Sequence, residues 1–159
     1  RGAANVMRAL PAAELARGFS RPPDVPGEAQ LMTRILSQLG MKEYAAEYLQ
    51  KHLPTFAFRP DLWELQGDLL IELKRWPELR GLAVAMRNSD FLRDDLAGYS
   101  WFLEGMAELR TGRREAALQA FTRAADSPTT DPLLSFRASN QLTDLGYPTL
   151  ANKLLKGLE

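Results

Sequence analysis

The chain has 159 residues, 45% of them hydrophobic and 25% charged, and its twenty basic residues balance twenty acidic ones. These values fit one compact domain or a short array of repeats. The balanced charge argues against a nucleic-acid partner, which calls for a basic excess, and the absence of cysteine excludes disulfides, thiolate zinc sites and cysteine nucleophiles.

No apolar run is long enough to span a membrane, and no signal peptide is visible. The chain opens on Arg1, not methionine, which fits a processed or excised piece. Ala3 to Leu10 can form two helical turns, and Pro11 can open a second short helix with Ala12, Leu15, Ala16 and Phe19 on one side. Residues 20–27 (Ser-Arg-Pro-Pro-Asp-Val-Pro-Gly) read as a connector. Glu28 to Leu39 has helical period, with Leu31, Met32, Ile35, Leu36 and Leu39 inward and Gly40 as its stop. Lys42 to Leu53 follows, turning Ala45, Tyr48, Leu49 and Leu53 inward, and Pro54 helps to end it.

Asp61 to Lys74 is the next helix, and Pro77 opens its partner, which runs to Arg87. Either Ser89 or Asp90 can cap what comes after. Residues 95–111 and 113–126 form a hairpin joined at Gly112. In it a small residue, Gly105, lets the second helix lie close at Ala117, and Phe121 fills the seam beyond. Asp131-Pro132 starts a helix that stops at Gly146, and Pro148 leads into a last one ending near Lys156. No strand is expected.

The hairpins repeat. Gly112 recurs as Gly146 and Ala117 as Ala151, thirty-four residues on, with Leu155 in the place of Phe121 and Ser139 in that of Gly105. Gly67 matches Gly105 at an offset of thirty-eight, so four residues are inserted between Asn88 and Asp95. One step further back the offset is again thirty-four, with Leu70 matching Leu36. Three of the four hairpin turns carry glycine, and Lys74 is the exception.

On Trp63 with Gly67, Trp101 with Gly105, Gly112 with Ala117, Phe121 and Ala124, and Gly146 with Ala151, the chain resembles the tetratricopeptide repeat family. The resemblance implies an all-α, right-handed superhelical array of antiparallel helix hairpins. It has about four repeats, near residues 26–59, 60–93, 98–131 and 132–159, after an N-terminal partial repeat over 1–25. First helices would line an inner groove.

Catalysis has little to work with. His52 is the only histidine and sits in a slot that Ala124 fills in the third repeat, which reads as packing. There is no nucleophile elbow, phosphate loop or histidine-carboxylate metal spacing. Arg113-Arg114 reads as a solvated hairpin tip. No catalytic residue, metal or cofactor is expected.

The implied groove is where a partner would bind. Asp61, Glu64, Asp68 and Glu72 share one stripe of their helix. The matching stripe of the third repeat carries Tyr99, Phe102 and Met106, on a helix that also turns Trp101, Leu103, Ala107 and Leu109 inward. Such a helix is apolar nearly all round and needs cover. Arg34 on the first repeat and Leu133, Phe136 and Asn140 on the fourth extend the stripe. The expected function is a protein-interaction module taking a peptide with basic and apolar parts. A structural spacer or self-association module within a larger, cell-envelope protein is the alternative. The N-terminal segment, a neighbouring repeat or a second copy of the chain could equally cover the apolar patch.

Overall fold

The computed structural model describes residues 25–127 and 131–156. These residues form eight α-helices and no strand: α1 (Pro26–Gln38), α2 (Lys42–His52), α3 (Pro60–Glu72), α4 (Trp76–Asn88), α5 (Ala97–Arg110), α6 (Arg114–Ala125), α7 (Pro132–Asp144) and α8 (Pro148–Lys156). The expected short helices and partial repeat at the N-terminus lie outside the described residues.

Helix starts follow proline chemistry. Pro26, Pro60, Pro77, Pro132 and Pro148 each stand in a first turn, where the missing N–H costs nothing. Pro26 and Gly27 therefore belong to α1 and not to the connector. Pro54 does not end the second hairpin arm outright; it sits in a 3-10 turn, Leu53–Phe56, that buries Leu53 and Phe56. Asp131 caps α7, its carboxylate accepting from the Leu133 N–H at 3.0 Å. Neither Ser89 nor Asp90 caps α5, which begins after Leu96. The inserted residues wind a turn of their own, with Arg93 N–H donating to Ser89 O and Leu96 N–H to Leu92 O, and this turn separates the two serine and aspartate side chains from the helix they were expected to cap.

The four hairpin turns are the same turn. Gly40, Lys74, Gly112 and Gly146 all have positive φ, at 78°, 58°, 86° and 97°. The residue after each donates its N–H back across the helix end: Met41 to Leu36 O, Arg75 to Leu70 O, Arg113 to Glu108 O and Tyr147 to Leu142 O. This is the Schellman stop, which a glycine enters without strain. Lys74 adopts it with a side chain attached.

The contacts divide the chain into two compact units, with the boundary between Leu69 and Leu70, inside α3. In the first, α1 packs on α2, and Leu36, Ala45, Tyr48 and Leu69 form a cluster edged by Met32 and Met41. Leu31, expected inward, is exposed: the buried face of α1 is Ala29, Thr33 and Leu36, set by spacings of four and three from Ala29. Gln66 is buried and donates to Ala46 O at 3.0 Å and Gln50 Oε1 at 3.2 Å. In the second unit α4 packs on α5, α5 on α6, α6 on α7 and α7 on α8, and α5 also reaches α7.

The small-residue position of each first helix is buried in every repeat: Thr33, Gly67, Gly105 and Ser139. Thr33 turns its hydroxyl onto Ala29 O of its own helix at 2.7 Å, which removes the polar group from the seam. At Gly105 the approach is closest. A Cβ there would stand 2.6 Å and 2.7 Å from the Phe121 ring. Phe121 thus lies over Gly105 itself, not beyond it.

Candidate functional site

The structure sorts the expected binding residues into three groups. Arg34 is exposed on α1. On α3, Glu64 and Glu72 are exposed, and Asp61 and Asp68 are half-buried. Asp61 is engaged by Arg59, whose Nη2 lies 2.8 Å from its Oδ2, and this hydrogen bond holds the Asp61 carboxyl below the usual range. On α7, Leu133, Phe136 and Asn140 are exposed.

The α5 group is not on the surface. Phe102 is 2% exposed and Met106 6%, and Tyr99 is buried with them. Tyr99 stacks on Phe102 with ring centroids 6.3 Å apart, and Phe102 packs against Phe121 of α6 at 5.9 Å. The Arg137 guanidinium of α7 lies 4.5 Å from the Phe102 ring centroid. The cover that this apolar side requires comes from within the chain, at least at Phe102. A helix packed by α4, α6 and α7 needs more than one apolar face, and a seam counted for one hairpin alone leaves the other face looking spare.

Of the α5 residues expected inward, Leu103 and Ala107 are fully buried, whereas Trp101 and Leu109 are only partly covered, and the helix opens beside Trp101. Trp101, Glu104 and Glu108 line a cleft of 260 Å³ with Arg113, Ala116, Gln119, Ala120 and Arg123 of the second arm. From α4, the Arg87 guanidinium lies 4.1 Å from the Trp101 ring centroid, and its Nη2 is 2.8 Å from Glu104 Oε1. Arg123 lies 4.6 Å from the same ring. Arg80, also on α4, sets Nη2 2.7 Å from Glu108 Oε1. Arg113 Nε stands 3.6 Å from Glu108 Oε2, an ion pair without a hydrogen bond. Arg114 donates to Leu145 O at the end of α7, where a cation suits the helix terminus. Arg113 and Arg114 are both exposed, as expected of a hairpin tip, and each also reaches a neighbouring group.

Glu108 is not among the expected binding residues. It is 7% exposed. In the repeat its place is held by Leu36, Leu70 and Leu142, all buried. That register is the signal that could have found it: one charged residue where three leucines stand. Trp101 occupies a seam position of the hairpin motif, and nothing in that motif signals its partly exposed ring or its two guanidinium neighbours.

His52 is buried, its ring edge-on to Tyr48 with centroids 4.8 Å apart. Its Nε2 has no hydrogen-bond partner among the described residues. Burial first, and then the charge of Lys51, lowers its pKa below 6.5. Met86 and Ala124 fill the matching slots of the next two repeats and are buried as well, so His52 sits at a core position. Among the described residues no group of three or more carboxylate or histidine side chains could hold a metal ion. No described helix is long and apolar enough to cross a membrane.

Helical hairpins repeating at thirty-four residues, closed by one kind of turn and seamed at one small-residue position, define a tetratricopeptide-like helical fold. Comparison with known proteins agrees at the level of the fold. A solved structure of the MamA RS-1 ArsTM double mutant superposes with a TM-score of 0.59 over 96% of this chain and 85% of that one, at 15% sequence identity. MamA contains tetratricopeptide repeats. The chain matches no protein-family model and no curated protein.

Proposed function

We propose that this chain is a protein-interaction module, with its hairpins stacked as a right-handed array of about four repeats and a partner polypeptide bound on their solvent-facing helical surfaces. The observation that carries the reading is the outer face of α7. Leu133 is 62% exposed and Phe136 53%, three residues apart on one helical face, with Asn140 one turn further along. An aromatic and a leucine held in rigid helical geometry are the kind of anchor that binding surfaces use. The acidic side of α3 supplies a separate surface for a basic part of the partner. Tyr99, Phe102 and Met106 have another role in this proposal: they hold α5 in place.

The test compares the wild-type chain with Leu133→Ser and Phe136→Ser together. Both positions are exposed, so the variant should melt as the wild type does while losing the partner that the wild type retains in a pull-down. A variant that keeps its partner refutes the α7 face as the anchor. Sedimentation of both proteins covers the alternative. A dimer that dissociates in the variant would replace a foreign partner by a second copy of the chain.

A further inference from the structure

We propose that the cleft beside Trp101 is a second docking site, specific for an acidic peptide segment of a partner protein and independent of the α7 face. The starting point is Glu108. A leucine packs at this place in the other three repeats, and a buried ion pair seldom adds stability over such a leucine. The charge therefore calls for a reason other than stability. Glu108 Oε1 is taken by Arg80. Its Oε2 is buried without a hydrogen-bond partner among the described residues, 3.6 Å from Arg113 Nε, so Glu108 holds a second arginine at the wall of the cleft.

The remaining charges choose the sign of the ligand. Among the described residues Arg80, Arg87, Arg113 and Arg123 face two carboxylates, Glu104 and Glu108. The two arginines of α4 already neutralise those carboxylates. Arg113 reaches Glu108 only at 3.6 Å, and Arg123 has no carboxylate partner among the described residues. The rim is thus a pair of guanidinium groups with spare donors, suited to bidentate capture of a carboxylate. A cation would meet a surplus of two positive charges. The volume fits the same answer. At 260 Å³ the cleft is below the size of cofactor and drug-sized pockets, roughly 300–1,000 Å³, and suits one or two side chains. Trp101, Ala116 and Ala120 offer the apolar contact for the methylene groups of a glutamate, and Gln119 a further polar one.

The test is fluorescence polarisation with a labelled synthetic peptide alternating glutamate and alanine, titrated with the whole chain at low and at high salt. The expected result is saturable binding that weakens with salt, and none by the matching lysine–alanine peptide. Arg123→Glu and Arg113→Glu should each weaken binding about tenfold or more, the size of one lost charge-assisted hydrogen bond. Arg93→Glu makes the same charge change on an exposed arginine outside the cleft and should leave the affinity within about twofold. Glu108→Leu, which restores the residue of the other repeats, should lower affinity while the protein keeps its melting temperature. If that variant fails to fold, the exposed rim arginines still decide the matter. Absence of glutamate-peptide binding at low salt, equal binding of the lysine peptide, or equal weakening by Arg93→Glu would each overturn the proposal.

Discussion

Gly105→Ala tests the closest approach in the fold. Two effects oppose each other. Alanine in the interior of α5 gains about 1 kcal/mol of helix propensity over glycine. The new methyl must also occupy space 2.6 Å from the Phe121 ring, nearer than real Cβ contacts come. Phe121 is fully buried, so its ring cannot swing into solvent, and either α6 moves away or the ring leaves its rotamer. Overpacking of this kind costs about 1–3 kcal/mol, and the short distance places Gly105 at the upper end. The net expectation is a loss of about 2 kcal/mol, read by urea unfolding with an unchanged m-value. Phe121→Leu shortens the ring side of the contact, so Gly105→Ala and Phe121→Leu together should cost less than their sum by about 1 kcal/mol. Gly81→Ala is the control. Gly81 is exposed on α4 with nothing within 4 Å of a Cβ, and the change should stabilise by about 0.5–1 kcal/mol. A Gly105→Ala protein as stable as the wild type, or a strictly additive double variant, would refute the reasoning.

Lys74→Gly relieves a lysine held at φ 58°, in the turn that glycine fills elsewhere; a gain of about 0.5–1 kcal/mol and a higher melting temperature are expected, and a lower one would show that the lysine side chain compensates. Phe102→Ala should destabilise by about 3–5 kcal/mol, because the ring is packed between α6 and α7; a variant as stable as the wild type would mean that this face is not core. His52 should make the fold acid-sensitive. Its folded pKa lies below the unfolded 6.5, so the unfolded chain binds more protons, and the stability tied to neutral His52 is present above about pH 6.5 and lost as pH falls toward the folded value. The slope in that window is at most about 1.4 kcal/mol per pH unit for one proton, and His52→Phe should remove it. An unaltered pH profile in that variant would assign the acid sensitivity to other groups.

Local chemistry was readable without a fold. Helix ends follow from Pro77, Asp131 and the glycines at 40, 112 and 146, because each acts through its own φ, N–H or carboxylate, whereas Pro26 reads as connector until the helix is seen. Repeat spacing even placed Lys74 in a glycine turn and His52 in a core slot. What one hairpin buries could also be read, since Gly105 and Phe121 lie on adjoining helices. Which side of α5 meets water could not. Tyr99, Phe102 and Met106 are as apolar as a binding face, and Trp101 with Gly105 carries the packing motif. The choice between them is made by α4, α6 and α7 together, which pack α5 from several directions at once. Tertiary structure alone brought Arg80 and Arg87 to Glu108 and Glu104, since side chains seventeen to twenty-eight residues apart meet only when α4 lies against α5. The sequence determined where helices start, stop and touch their next neighbour. Packing from several helices at once decided which face became core and which became a charged cleft, because burial depends on every element around a residue and periodicity reports only one.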